Sequence, residues 1–385
     1  MAEQQLSIDN AKATFYALTR AMRPKDLVDN IFIANPVWAK MRQNMVPVGG
    51  VSYQPAIELG KQTGIRYTEK TNVNLGATWA PEIATTADFT TGEYLLHVQI
   101  PTQQIYKQTS QQSIVDLHQS YMRNAIKSVR GDMSDDLFQT RGSTGLAAIG
   151  TGRAVDGTTS VQGMLTLDSC MWYGNTYGGV NPTKTGQETW EAHAMVGQAN
   201  DSSQIEAVAP SLQNFELMIE KIEGTTDEKP GLIVVTEDTW QALKAQVPAQ
   251  DYAMMRAAYK GTDIVRWGFS ALWVLDVPIV RDRDCFGTDF TAGQATNLLA
   301  CGHDAYFINF DYFKYIYNRN ASFRWHEDGW RHEILNYDCI HNQYFVWGGT
   351  ACTSRRGQGR MINIDPTMAV DDFESGVVRL PGADA

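Results

Sequence analysis

The spacing of hydrophobic residues changes repeatedly along the chain, and each change marks an element. Residues 1 to about 46 carry short helical patterns broken by Pro24 and Pro36 and close on Ile31, Phe32, Ile33, Val37, Trp38 and Met41. Proline removes a backbone donor and restricts the residue before it, so this segment reads as an arm rather than one long helix. From Val51 the period becomes two: Val51, Tyr53, Pro55, Ile57 and Leu59 alternate with Ser52, Gln54, Ala56 and Glu58, a strand signature that Pro55 confines to an edge. A matching run sets Tyr94, Leu96, Val98 and Ile100 against Glu93, Leu95, His97 and Gln99. With the polar, turn-rich stretch between them, the two runs predict a long two-stranded excursion. Such a ribbon has nothing to bury one face against, so it is expected to lie on a partner subunit.

The strongest helical pattern starts near Gln112 or Ser113 and runs to about Gln139. Ile114, Leu117, Tyr121, Met122, Ala125, Ile126 and Val129 form an apolar stripe, opposite Asp116, Ser120, Arg123, Asn124 and Lys127. Its length implies roughly 40 Å, enough to brace an elongated body. Beyond Gly131 the stripe loses phase, which predicts a kink or an earlier end. Residues 141–207 read as loops, with Met164, Leu165 and Leu167 ahead of Met171, Trp172 and Tyr173. So long a structureless stretch is unusual, and part of it is expected to pack on a sheet or a neighbour.

From about residue 208 the pattern is α/β. A helix carries Leu212, Phe215, Met218, Ile219 and Ile222, a buried strand covers Leu232–Val235, and Thr236 stands as the N-cap of a helix with Glu237 and Asp238 in its first turn. A second strand covers Leu272 to Leu275 and continues through Val277, Ile279 and Val280; Asn297–Cys301 and Tyr306–Phe310 read as short strands. Residues 316 to 363 are rich in β-formers, including Phe323, Trp325, Ile340, Tyr344, Phe345, Val346 and Trp347. The acidic tail beyond Asp365 is expected to be loosely held.

Composition narrows the function classes. Of 385 residues 43% are hydrophobic and 19% charged, which is globular, and the 10% aromatic share points to extensive buried or interface surface. The net charge of -11 argues against a dedicated nucleic-acid reader, though not against a local contact. No apolar run reaches the length of a membrane-spanning helix, and the first residues lack the basic start and apolar stretch of an export signal, so neither membrane insertion nor secretion is expected. Cys170, Cys285, Cys301, Cys339 and Cys352 are odd in number and scattered, which suits free thiols in a reducing cytoplasm.

Candidate chemistry is sparse. His326 and His332, with Cys301-Gly302-His303 and Cys339-Ile340-His341, lack the paired spacing of a structural zinc site, so they read as ordinary strand and loop positions. Asp282, Asp284, Gly287 and Asp289 superficially match a calcium loop, but Phe286 and Gly293 stand where ligands belong, leaving a solvated turn. The run Arg324-Trp325-His326-Glu327-Asp328-Gly329-Trp330 mixes acids and bases that a strand and turn would point apart. No nucleophile elbow, P-loop or dinucleotide fingerprint is present, so no catalytic, metal or cofactor site is assigned and no enzyme is expected. Arg355, Arg356 and Arg360 form the clearest basic cluster: a solvated patch, or a contact for DNA or an acidic partner.

The order of arm, extended two-stranded loop, long helix, α/β domain and returning strands resembles the major capsid proteins of tailed bacteriophages, the α+β fold typified by the HK97 capsid protein. Asn35-Pro36-Val37-Trp38 is similar to the phrase that closes the arm in several of them. Gly145-Leu146, Gly163-Met164 and Trp172-Tyr173 resemble a segment of their peripheral domain, and Leu232–Val235 running into Thr236 resembles a strand and helix of their axial domain. The resemblance implies an arm at 1–46, an extended loop at 47–105, a peripheral domain with the spine helix at 106–207, an axial domain at 208–315, returning peripheral strands at 316–363 and a tail at 364–385; the long loop region near 174–207 departs from the family pattern and reads as a candidate insertion. It further implies hexamers and pentamers that close into an icosahedral virion shell in the host cytoplasm. The implied partners are further copies of itself, scaffolding and portal proteins, and packaged double-stranded DNA held by weak contact. Tyr53, Ile57, Tyr94, Leu96, Val98 and Trp38 become the expected assembly contacts. Some relatives cross-link subunits through a lysine in the extended loop, where this chain has Lys61 and Lys70, but no acceptor is matched. Two other readings are an encapsulin-like nanocompartment shell, which shares the fold but encloses cargo protein, and an α/β hydrolytic enzyme.

Overall fold

The first element is entered through a cap. Asn35 Oδ1 accepts from the Val37 N–H at 3.1 Å, Pro36 takes the first helical position, and helix α1 (Pro36–Met41) buries Val37, Trp38 and Met41. The computed structural model describes residues 35–50, 52–59, 84–101, 103–104, 111–138, 167–171, 176–182, 187, 189–196, 208–259, 262–283, 285, 303–320, 322–325, 331–333, 339–367 and 377–379. Most of the expected arm, Lys61 and Lys70, the Asn297–Cys301 strand, Asp284, Phe286, Gly287, Asp289, Gly293 and His326 lie outside them.

After strand β1 (Val46–Val48), β2 (Ser52–Tyr53) and β3 (Ala56–Glu58) run out along one side of a ribbon, and β4 (Ala84–Thr86) and β5 (Phe89–Thr90) return along the other; β2 pairs with β5 and β3 with β4, both antiparallel. Pro55 sits in the gap between β2 and β3, where its missing donor costs no ladder bond and its carbonyl accepts from the Ala87 N–H at 3.2 Å. The expected pairing of 51–59 with 94–100 is therefore corrected. Strand β6 (Gly92–Pro101) turns away and pairs antiparallel with residues 339–348 over ten positions. A long partner with a matching apolar face outcompeted the nearer but proline-broken run.

The spine helix α2 (Gln111–Phe138) has 28 residues, hence a length of about 42 Å. It does not end or lose phase at Gly131: Met122, Ala125, Val129, Met133 and Leu137 recur at three- and four-residue steps and are all buried. Short helix α3 (Leu167–Met171) and strand β7 (His193–Val196) follow. Helix α4 (Leu212–Thr226) is capped by Ser211 Oγ, which accepts from the Asn214 N–H at 3.2 Å, and ends on Asp227 in the left-handed region at φ 59. Beyond strand β8 (Leu232–Val235) come α5 (Glu237–Gln246), α6 (Ala249–Ala258) and α7 (Asp263–Arg266).

Strands β9 (Ala271–Val274) and β10 (Val277–Arg281) correct the single strand expected across 272–280. The chain reverses at Leu275 and Asp276, both at positive φ (48 and 67), the conformation of a two-residue hairpin turn. The remaining strands are β11 (His303–Ile308), β12 (Phe313–Asn318), β13 (Arg324–Trp325), β14 (Arg331–Glu333), the 14-residue β15 (Cys339–Cys352), β16 (Gly359–Ile364) and β17 (Val377–Arg379). β17 pairs with β7, so the expected loose tail contains a paired strand.

Two sheets result. In the first, β15 carries β6 along one flank and β12, β13 and β14 in succession along the other, and β1 adds parallel to β12. The second has the order β17-β7-β16-β11-β8-β10-β9. Strands β7 and β16, which fall outside residues 208–315, thus share a sheet with β8, β9, β10 and β11. All four residues of β8 are buried because both faces are covered. Ile233 and Val235 join a core with Phe215, Met218, Ile219 and Ile222 of α4, while Leu232 and Val234 join the larger core that also holds Trp38, Phe138 and Tyr315. Residues 353–358 carry the chain from one sheet to the other.

Candidate assembly surface

Period two divides β6 into two faces. Its apolar set, expected to meet a neighbour, meets the chain's own spine helix instead: Val98 and Ile100 are buried, Tyr94 and Leu96 are half-buried against the larger core, and β6 lies along α2. The helix stripe found its partner within the molecule. The other face of β6, with Glu93, Leu95, His97 and Gln99, is exposed.

On that outward face Leu95 is 54% exposed, a high value for a large apolar side chain in mid-strand. Its register partner is the half-buried Phe345 of β15, beside which Trp347 pairs with Glu93 and Gln343 with His97. Arg324 of β13, exposed, is the register partner of Phe345 on the far side. An apolar centre of Leu95, Phe345 and Trp347 within a rim of Glu93, His97, Gln99, Gln343 and Arg324 has the anatomy of a protein-binding patch. Sequence reading passed over it, although Leu95 was the one apolar member of the polar half of its run.

The other expected contacts lie deeper. Trp38 is 1% exposed and meets Tyr315 edge-on at 5.5 Å. Ile57 is buried at the base of the ribbon, and Tyr53, half-buried, stacks on Phe89 at 6.5 Å. These side chains hold the ribbon base and the arm's end to their own subunit.

The arginine cluster is likewise corrected. Arg355 and Arg360 are fully buried, and only Arg356 of the three is half-exposed. Arg355 Nε donates to the Cys170 carbonyl at 2.7 Å and Nη1 to the Trp190 carbonyl at 3.1 Å, with the guanidinium 5.5 Å over the Tyr177 ring. Burial lowers the pKa of Arg355 and raises those of Tyr177 and Cys352 well above their usual values. A guanidinium can be held here because carbonyls and a π-face replace its water. Glycine beside the cluster allows close packing: at Gly357 an added Cβ would lie 3.2 Å from the Tyr312 ring.

One grouping invites comparison with a hydrolytic site. Thr236, at the N-cap of α5, has Oγ1 2.9 Å from His303 Nδ1 and 2.9 Å from Thr239 Oγ1, and His303 Nε2 is 3.9 Å from Asp238 Oδ2. The Thr236 residue is only 6% exposed, and its hydroxyl is directed at two internal partners rather than a cleft. The contacts tie the start of α5 to β11, and they explain why Thr236 makes no side-chain cap bond to the helix. A cleft of about 290 Å³ is lined, among the described residues, by Ala39, Arg42, Gln43 and Trp267, which include no acid–base pair. Among the described residues no group of three or more His, Cys, Asp or Glu side chains is placed to hold a metal ion.

No protein-family model matches the chain, and no curated protein matches it either. Among solved structures it is similar to a chain of the cyanophage A-1(L) capsid, at 11% identity and a TM-score of 0.56, over 86% of this chain and 92% of that one. It is also similar to the capsid of Ralstonia phage GP4 (11% identity, TM-score 0.47, 85% and 87% covered) and to the SrpI encapsulin of Synechococcus elongatus PCC 7942 (10% identity, TM-score 0.44, 84% and 86% covered). The first of these shows that the chain has the HK97-like α+β capsid fold, as the order of its elements led us to expect.

Proposed function

We propose that this protein is the major capsid protein of a tailed phage, whose copies assemble as hexamers and pentamers into an icosahedral shell around double-stranded DNA. The observation that carries the reading is the shared fold along most of both chains. The outward apolar centre at Leu95, Phe345 and Trp347 supports it, since such a patch on one chain is explained by a neighbour that covers it. Contact with DNA is weak in this reading. The net charge is -11, and two of the three clustered arginines are spent inside the protein. Scaffolding and portal proteins complete the assembly in the host cytoplasm. Among the described residues no helix is long and apolar enough to cross a membrane.

Negative-stain microscopy of the purified full-length chain tests the reading: closed shells, tubes or capsomer rings are expected. A stable monomer at high concentration sinks it. Particles recovered from cells separate the two shell readings, because nuclease-protected DNA marks a phage head and a single packaged protein marks a nanocompartment.

A further inference from the structure

His341 enters the sequence as part of a failed zinc pattern with Cys339, and His97 enters it without a role. Folding brings them together. Register pairs His341 with Gln99 and His97 with Gln343, so the two histidines stand diagonally on the outward face of β6 and β15. Their ring centroids are 5.2 Å apart with the planes at 77°. His97 is exposed and His341 half-buried, and the Gln99 amide lies 3.2 Å from His97 Nδ1. We propose that His97 and His341 form a chelating pair for a late first-row divalent cation, Cu2+ ahead of Ni2+, on the outside of this sheet.

Three physical points carry the assignment. Diagonal positions on a ten-residue antiparallel pairing are held by the backbone ladder, so bringing two imidazoles onto one ion requires only side-chain rotation. Two neutral imidazoles, with water filling the remaining positions, suit the tetragonal preference and high nitrogen affinity of Cu2+ and Ni2+; structural zinc asks for four protein ligands. Gln99 Nε2 faces His97 Nδ1 as placed; turning the amide about its last torsion brings Oε1 to the ring, where it accepts from Nδ1–H and leaves the Nε2 lone pair of His97 for the metal.

The test uses the full-length chain, stripped of metal with a chelator and titrated with copper sulfate at about pH 7.5, above the usual imidazole pKa. Calorimetry reads the binding and electron paramagnetic resonance the ligands. The expected result is one Cu2+ per chain bound in the micromolar range, with coupling to two nitrogens. His97→Gln and His341→Gln each weaken binding about tenfold or more, and Gln99→Glu tightens it. Millimolar binding, or tight binding that His97→Gln leaves unchanged, overturns the proposal. His97 is exposed, so its variant decides the matter even if His341→Gln fails to fold. His97 stands in the rim of the patch that the capsid reading gives to a neighbour, so the titration is made on unassembled subunits, and the capsid reading is tested separately by particle formation in metal-free buffer.

Discussion

Arg360 and Asp304 face each other wholly inside the protein, with Arg360 Nη2 2.5 Å from Asp304 Oδ2 and neither side chain reached by solvent. They stand on adjacent strands of the second sheet, β16 and β11, and Asp304 lies where the register shifts between His303 and Ala305. Its second oxygen accepts from the Asn363 N–H at 3.0 Å, and the guanidinium lies 5.2 Å over the Tyr306 ring. Removing one partner strands a charge without water, which costs more than the intact pair contributes. Asp304→Ala is expected to destabilise the subunit by about 3–5 kcal/mol in urea denaturation, and the double variant Asp304→Leu, Arg360→Met to recover most of that loss. A cost below about 1 kcal/mol for Asp304→Ala would place the pair in the class of solvated ion pairs and refute this account.

What the sequence disclosed, and what it hid, follows from how far the deciding partner lies along the chain. Helix α4 was legible because its stripe, Phe215 to Ile222, is local. Strand β8 was legible because four consecutive apolar residues admit few alternatives. The partner of β6 was not, since β15 begins 238 residues after the end of β6 at Pro101. The buried arginines were hidden for the same reason: Arg355 is satisfied by carbonyls at 170 and 190, and Arg360 by a carboxylate at 304. Leu275 and Asp276 hid a hairpin because neither is the Gly or Asn that usually announces such a turn.

Arg355 joins α3 and the approach to β7 to the segment that crosses between the sheets. Its two donors reach two carbonyls in different directions, a task for a planar fork and not for a single ammonium. Arg355→Lys is therefore expected to lower stability by about 2 kcal/mol, roughly one charged hydrogen bond, with a matching fall in melting temperature. An unchanged melting temperature would show that the fork is not needed.

His193 should make the second sheet acid-sensitive. It is fully buried, Nε2 lies 2.7 Å from Thr225 Oγ1, and burial, then the charge of Arg356, lowers its pKa from 6.5 to about 4. In the unfolded chain the imidazole takes up a proton near pH 6.5, whereas the folded one resists until about pH 4, so stability rises with pH between those values. The contribution is complete above the upper value and lost progressively as pH falls to the lower, amounting to about 3 kcal/mol. Unfolding free energies between these limits should fall more steeply for the parent than for His193→Gln; parallel curves would remove His193 from the explanation.

Gly348 lies under Tyr315 at the pairing of β12 and β15. A Cβ there would meet Tyr315 Oη and come within 2.9 Å of the Ile316 carbonyl, and Tyr315, fully buried against Trp38, has little room to withdraw. At Gly359 a Cβ would be 2.5 Å from Met218 Cε and 2.7 Å from Ile222 Cδ1, both ends of flexible chains. Gly348→Ala is expected to cost about 3 kcal/mol and Gly359→Ala about 1 kcal/mol, spanning the usual range for overpacking. Chemical denaturation of the two variants side by side checks the order.

Leu95 allows assembly to be separated from folding. Its side chain is more than half exposed on the subunit, so Leu95→Glu removes little buried contact within the chain and should change subunit stability by no more than about 0.5 kcal/mol. If Leu95, Phe345 and Trp347 are covered by a neighbour, the same change places a carboxylate in a desolvated interface, where it has no counter-charge. Sedimentation velocity and microscopy are then expected to show soluble subunits or small oligomers where the parent forms shells, with an unaltered circular dichroism spectrum. Tyr94→Glu makes the contrast, because Tyr94 packs against its own core: it should lower stability first and assembly only as a consequence. Normal shells from the Leu95→Glu chain would show that this face is not buried between subunits.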